Sequence, residues 1–304
     1  HFNAFSSISP PLAQLTIHCA ATDVLEVEPK YDLKEGETQD YKNDLLELDN
    51  IIITPHIGAS TNEAQDNVGI TVAKEVLEAL NGDVVENAIN MPCLQKDELQ
   101  NIKPFMLLME KMGVLYYQLC KDAVNKIEII YSGQSADMNI RMLTLSYLKG
   151  FLSNIADNNI NYVNSLYAAK EFGIDVVEST SSVCEDYSSF IKVKVYNKHG
   201  HKSFGGTVFG ANDIRITYIS GYYIDVVPEK YLLLINNKDM PGFVGRIGTI
   251  LGNADINIAT MRVSRNKKGD VALMAINVDD IVPEDVMDGI RRMDGIVKAN
   301  LVVF

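Results

Sequence analysis

The order of apolar runs from residue 229 to the end leaves few folds open. "YLLLIN" is a strand-length run, and "NKDMPG" ends it with proline and glycine. "VGRIGTILGNA" then spaces its apolar residues as a helix does. "INIATMRVSR" and "VALMAINV" read as strands about the turn "NKKG", followed by a helix in "PEDVMDGIRRM" and a last strand in "IVKANLVVF". Pro283 stands where a first helical turn accepts proline, since that N–H has no partner inside the helix. Strand, helix, strand, strand, helix, strand is the split-βαβ, ferredoxin-like plan.

The stretch before it is α+β. Residues 98–121 predict a helix broken near Pro104, because proline removes a helical donor and crowds the preceding turn. "NKIEIIYSG" predicts a strand and "IRMLTLSYLKGFLSNIA" a second helix. "FIKVKVYN", "KSFGGTVFG" and "DIRITYISGYYIDVVP" alternate with period two between turn-rich joints, which predicts an antiparallel sheet ending near Pro228.

Further upstream, residues 12–22 run into "TDVLEVEPKYD" as a short strand ending near Pro29. The charged segment from Lys30 to Asp44 has no apolar period and predicts an exposed loop. Strand "NIIITP" follows, and then a helix with Ser60 as N-cap and Glu63 three residues on, a capping-box spacing. Val68, Val72, Val76 and Leu80, with Ala73 and Leu77 beside them, predict one buried face, and Asn81-Gly82 a stop. This is the closing part of an α/β unit. The fold expected is α/β plus α+β: the end of a Rossmann-type core (1–95), an α+β domain (96–228) and the ferredoxin-like domain (229–304).

Charge and cysteine usage narrow the function classes. A net charge of −13 and a pI near 4.8 argue against nucleic acid and anionic membranes as partners, since both need a basic face. Four cysteines lie far apart without ligand spacing, so neither a metal site nor a disulfide framework is expected, and a reducing, cytoplasmic setting is. The most apolar stretch, "FMLLMEKMGVLYYQL", is charged and shorter than a membrane span. The opening residues show neither an initiator methionine nor a signal pattern, and read as a chain whose beginning is missing.

His56 is the histidine in a chemical setting, at a strand end after Pro55 and before a glycine and two hydroxyl residues. Imidazole titrates near neutrality, so it suits general acid–base work. A histidine that merely caps a strand end would read the same way.

The segments "ATDVLEVEP" and "LLELDNIIITPHIGASTNEAQ" resemble the closing part of the catalytic core of the D-3-phosphoglycerate dehydrogenase family, among the NAD-dependent D-2-hydroxyacid dehydrogenases. "NYVNSLYAAKEFGIDVVES" resembles the intervening, allosteric-substrate-binding domain of the family's long forms. "NKDMPGFVGRIGTILGNADINIATMRVSR" resembles their C-terminal ACT domain. The likeness runs from about Leu12 to Phe304, in the family's order.

The resemblance implies that His56 takes the proton from the substrate hydroxyl while hydride leaves for the nicotinamide of NAD. Glu28 stands at the carboxylate that pairs with it, Asp23 at the carboxamide, and Ile57, Gly58, Ala59 and Ser60 against the nicotinamide end. It further implies 3-phosphoglycerate as substrate and L-serine as effector, bound between ACT domains of a homo-oligomer at Asn237, Asp239 and Asn257.

The sequence also departs from the family pattern. It has no GxGxxG or comparable phosphate loop and no arginine before Arg141 to clamp a substrate carboxylate. Cys19 stands where a glycine is usual. Of the basic cluster some relatives carry in the intervening domain, whose positions here read Arg215, Tyr222, Tyr223 and Val227, only Arg215 keeps a charge. The chain alone is therefore expected to be inactive. A non-catalytic, amino-acid-sensing regulatory module is the alternative.

Overall fold

The computed structural model describes residues 19–304 except 31–32, 35, 82–83, 86, 91, 93–95, 121, 157–158 and 185. The expected alternation over residues 12–18 and the stop at Gly82 lie outside the described residues. The chain forms two compact units, one up to Asn81 and one from Gly82 onward.

In the first unit β1 (Ala20–Thr22) pairs in parallel with β2 (Ile51–Ile53), Thr22 opposite Ile53. β1 ends at Thr22, well before Pro29, because the next residue turns its side chain to the loop after β2. The loop from Lys30 is exposed as expected, and it is tied back where Gln39 exchanges hydrogen bonds with the Lys30 backbone and the Tyr41 hydroxyl donates to the Val27 carbonyl. A single 3-10 turn, Asp44–Glu47, buries Leu45 beside Leu25 and makes the small core.

α1 (Asn62–Leu80) departs from the sequence reading twice. Its N-cap is Thr61, whose hydroxyl accepts from the Ala64 N–H at 3.1 Å. Ser60 is taken by the preceding turn, its N–H donating to the Ile57 carbonyl, so Glu63 falls one position short of a capping box. Val68, Val72, Val76, Leu77 and Leu80 are exposed, and no residue of the helix is buried. An apolar stripe is covered only by a facing surface, and the described residues of this unit, whose core is Leu25 and Leu45, supply none.

The second unit opens with α2 (Lys96–Leu119), which runs unbroken through Pro104. An interior proline costs a helix about 3 kcal/mol. Here its ring is buried on the same face as Phe105, Leu108, Met109 and Met112, and that packing offsets the lost bond. β3 (Val124–Gly133) follows, then α3 (Ile140–Leu152), α4 (Ser165–Glu171) and β4 (Asp175–Ser181). β5 (Ser189–Asn197), β6 (Gly200–Phe209), β7 (Asp213–Ile219) and β8 (Tyr222–Val226) complete a six-stranded sheet of order β4-β3-β5-β6-β7-β8.

That sheet is mixed rather than wholly antiparallel. β4 joins β3 in parallel, since α3 and α4 provide the crossover that parallel neighbours need. α2 and α3 cross at Gly113 and Gly150, where an added Cβ on either residue would strike backbone of the other helix.

The last part is the expected βαββαβ order: β9 (Tyr231–Lys238), α5 (Phe243–Asn253), β10 (Ile258–Arg265), β11 (Val271–Val278), α6 (Glu284–Arg291) and β12 (Ile296–Val303). The sheet order is β10-β11-β9-β12, antiparallel throughout. Pro283 caps α6 with φ −59°, immediately before its first residue.

Strand alternation sends Leu233 and Ile235 into a core with Phe243, Ile247, Leu251, Met287 and Ile290. Leu232 and Leu234 turn the other way, with Leu273, Ala275 and Val302, into the core of the six-stranded sheet and α2. Polar ties cross the same seam. Lys111 Nζ donates to the Pro228 carbonyl at 2.7 Å, Asn277 Nδ2 to that of Val227 at 2.9 Å and the Tyr222 hydroxyl to that of Val271 at 3.1 Å. Among the described residues no helix is long and apolar enough to cross a membrane.

Candidate active site

β1 and β2 are parallel, so their C-terminal ends lie side by side and release Asp23 and Thr54 at the same edge. The loop after β2 passes through Pro55 to His56, which takes a left-handed φ of 51°. Such a backbone is uncommon outside glycine, although asparagine, aspartate and histidine adopt it more readily than other residues. His56 Nδ1 lies 2.9 Å from one oxygen of Glu28 and 3.1 Å from the other. The structure thus brings His56 and Glu28 together, although 28 residues separate them.

The Glu28 carboxylate, through its hydrogen bond and its charge, raises the His56 pKa above the usual histidine value. Asp23 moves the other way. The Thr54 hydroxyl and the Ile57 and Gly58 N–H groups all donate to its carboxylate and hold it below the usual range. Ile57, Gly58, Ala59 and Ser60 are exposed beyond it. A side chain at 58 would press on this carboxylate, because a Cβ there would stand 2.9 Å from Asp23 Oδ2. Thr54 is the participant that sequence reasoning missed, since a threonine after three isoleucines reads only as the end of a strand.

A planar ring would meet little bulk over Gly58 and Ala59, and Asp23 Oδ2 accepts one bond and keeps a lone pair. The residues present therefore fit the nicotinamide end of a dinucleotide.

The ACT-like part separates its three predicted residues. Asn237 is buried. Its Nδ2 donates to the Lys238 carbonyl, and its buried Oδ1 meets no donor among the described residues. Asp239 Oδ2 accepts from Arg265 Nη1 at 2.8 Å and from the Gly269 N–H at 3.1 Å, which keeps its carboxylate below the usual range. Asn257 donates to Asp279 Oδ2 at 2.7 Å. Lys238 pairs with Val271 at one end of β11, whereas Ile258 pairs with Val278 at the other. Seven residues of strand at about 3.3 Å each put Asn257 roughly 20 Å from Asp239 within one chain.

Arg215 is bidentate to Asp213 (2.8 Å for both bonds) and contacts Asp225 at 3.1 Å, so its charge is already paired.

The D-3-phosphoglycerate dehydrogenase intervening domain matches residues 101–220, and the ACT domain matches 231–294. The chain is similar to D-3-phosphoglycerate dehydrogenase of Methanocaldococcus jannaschii, 39% identical over 92% of this chain and 51% of that protein. The same enzyme of Synechocystis sp. is 36% identical over 93% of this chain and 50% of its own length. That of Bacillus subtilis is 38% identical over 93% and 52%. The chain thus spans about half the length of the curated relatives it matches. The two domain matches, in this order and with this identity, place it: the chain belongs to the D-3-phosphoglycerate dehydrogenase family.

Proposed function

We propose that this chain is the C-terminal portion of an NAD-dependent D-3-phosphoglycerate dehydrogenase, oxidising 3-phosphoglycerate to 3-phosphohydroxypyruvate for L-serine synthesis in the cytoplasm. Residues 1–95 contribute the end of the catalytic core, 96–228 the intervening domain and 229–304 the sensor. The observation that carries the reading is the His56–Glu28 pair, 2.9 Å apart beside an open strand edge.

His56 draws the proton from the substrate hydroxyl. Glu28 holds Nδ1, which leaves Nε2 for the substrate, and offsets the imidazolium charge as it forms. Asp23 and the backbone from Ile57 to Ser60 orient the nicotinamide. NAD, when bound, supplies the hydride acceptor.

On its own this chain should form no NADH from 3-phosphoglycerate and should bind NAD weakly, because the sequence holds neither a phosphate loop nor an arginine before Arg141. A steady-state assay and calorimetry check both points. A chimera joining the N-terminal half of the Bacillus subtilis relative to this chain should form NADH, and an inactive but folded chimera would count against the reading. In the active chimera the acid limb of kcat/KM should lie above the ordinary histidine value of about 6.5. The limb reports His56 losing its proton, and Glu28 favours the protonated form, so Glu28→Gln should move it to lower pH.

The sensor is proposed to bind L-serine between two copies. The roughly 20 Å between Asp239 and Asn257 supports this, because one chain cannot place both on one small ligand. Asp239 turns its carboxylate, through Oδ1, to the ammonium, while Asn237 is buried behind it and supports the strand end. The start of α5, with Gly242 at a φ of 89° as its cap, offers N–H groups to the carboxylate.

Asp239→Asn keeps the shape and removes the charge. One charge-assisted hydrogen bond is worth about 1.5–3 kcal/mol, so serine affinity should fall about tenfold or more. Lys238→Ala should change it little. Calorimetry with serine decides: equal losses in the two variants would defeat this geometry. The absence of any serine-dependent rise in melting temperature for the unmodified chain would defeat the site. A purely regulatory module is the second reading, and the intact ACT fold favours it as much. The His56–Glu28 pair favours the enzyme.

A further inference from the structure

The parallel register that pairs Thr22 with Ile53 makes Asp23 and Thr54 neighbours, and the Thr54 N–H donates to the Thr22 carbonyl at 3.1 Å. Asp23 Oδ1 accepts from the Thr54 hydroxyl at 2.5 Å and from the Ile57 N–H at 2.9 Å, and Oδ2 from the Gly58 N–H at 2.6 Å. One donor precedes His56 and two follow it. Between them the His56 N–H turns back to the Thr54 carbonyl at 3.0 Å, and His56 takes its left-handed φ. The loop is wound around a carboxylate.

We propose that Asp23 and Thr54 form a positioning clamp that holds the His56 imidazole against Glu28, with the Thr54 hydroxyl as its side-chain donor. The proposal rests on reading His56 as the base. It assigns Asp23 chiefly to the loop: a carboxylate offers about four lone-pair sites, and three are filled. The remaining one, on Oδ2, is all that a nicotinamide amide can use. The bonds are charge-assisted, hence short, and strong enough to keep a non-glycine residue at positive φ. The charged groups facing the imidazole are Glu28, in contact with it, and Asp23.

Thr54→Val removes the hydroxyl while keeping shape and charge, and Thr54→Ser restores it. The measurement is the His56 imidazole titration followed by NMR in this chain, its signal identified by loss in His56→Gln. A carboxylate in contact shifts such a midpoint by about one pH unit or more. Thr54→Val should therefore lower the midpoint part of the way towards the value in Glu28→Gln, and Thr54→Ser should keep it. Asp23→Asn should speed hydrogen exchange at the Ile57 and Gly58 amides by about tenfold, which corresponds to one hydrogen bond lost. This second readout stands even if the valine variant folds poorly.

An unchanged midpoint in Thr54→Val, or a lowered one that serine fails to rescue, would overturn the clamp. So would unchanged amide exchange in Asp23→Asn. If the midpoint responds as expected but His56→Ala leaves the chimera's turnover intact, the clamp stands and the dehydrogenase reading falls. If turnover needs His56 but the midpoint ignores Thr54, the reading stands and the clamp falls.

Discussion

If His56 is the proposed base, His56→Ala should lower kcat for 3-phosphoglycerate oxidation by about 10²–10⁴-fold in a chimera that forms NADH, the usual worth of a positioned general base. KM should move far less, because the proposed role has the imidazole meet the substrate only at the hydroxyl that loses its proton. The size of the effect follows from the geometry. A base contributes only when it is held in reach of its proton, and His56 is held twice, at Nδ1 by Glu28 and through its backbone by the loop around Asp23. Stopped-flow NADH formation at saturating substrate measures the loss directly. Turnover within a factor of two of the parent chimera would remove His56 from the chemistry.

Gly150→Val should strongly destabilise the second unit. Its Cβ would strike the Glu110 carbonyl of α2, and Gly113 opposite has backbone of α3 at 2.6 Å from its own missing Cβ. The obstacle is backbone on both sides, so no rotamer change relieves it and the helices must separate. Overpacking a core costs about 1–3 kcal/mol where side chains yield. Here Tyr116, Tyr147 and Phe151, packed edge-on and stacked at the crossing, lose contact as well, and the expected cost is about 3 kcal/mol or more. Gly289→Ala, in α6 with open space around the added methyl, should be neutral or stabilising by up to about 1 kcal/mol. Urea unfolding followed by far-ultraviolet ellipticity compares them, and a Gly150→Val chain as stable as the parent would show that the helices do not meet there.

The sequence was most legible where burial is two-sided or alternation clean. The run "YLLLIN" announced β9 because both of its faces are covered, and β5 through β8 announced themselves by period two. α4 and β4 escaped notice because a seven-residue helix has hardly two turns of period and "DVVESTS" does not alternate. Pro104 reads as a break because helix propensity carries no information on the core that its ring joins. The stripe on α1 is a true helical period, but periodicity says only that a face is apolar and not what lies against it.

At the site, the pairing of His56 with Glu28 followed from resemblance to a family, and so did the grouping of Asn237, Asp239 and Asn257. The spacing of those residues gives no hint that the chain holds Asp239 and Asn257 at opposite ends of a strand. Nor could sequence show that Asp239 already leans on Arg265, a contact between residues 26 apart with α5 and most of β10 between them in the chain.

The seam between the two sheets has a mechanical meaning. Tilting one sheet on the other would wet Leu232, Leu234, Leu273 and Val302. Each fully buried leucine resists exposure by roughly 1.5–3 kcal/mol. An effector and a distant site typically exchange only about 1–3 kcal/mol of coupling. Coupling of that size is too small to open the seam, so the six-stranded sheet and the ACT sheet answer a load on either one as a single stiff body rather than as a flap on a hinge.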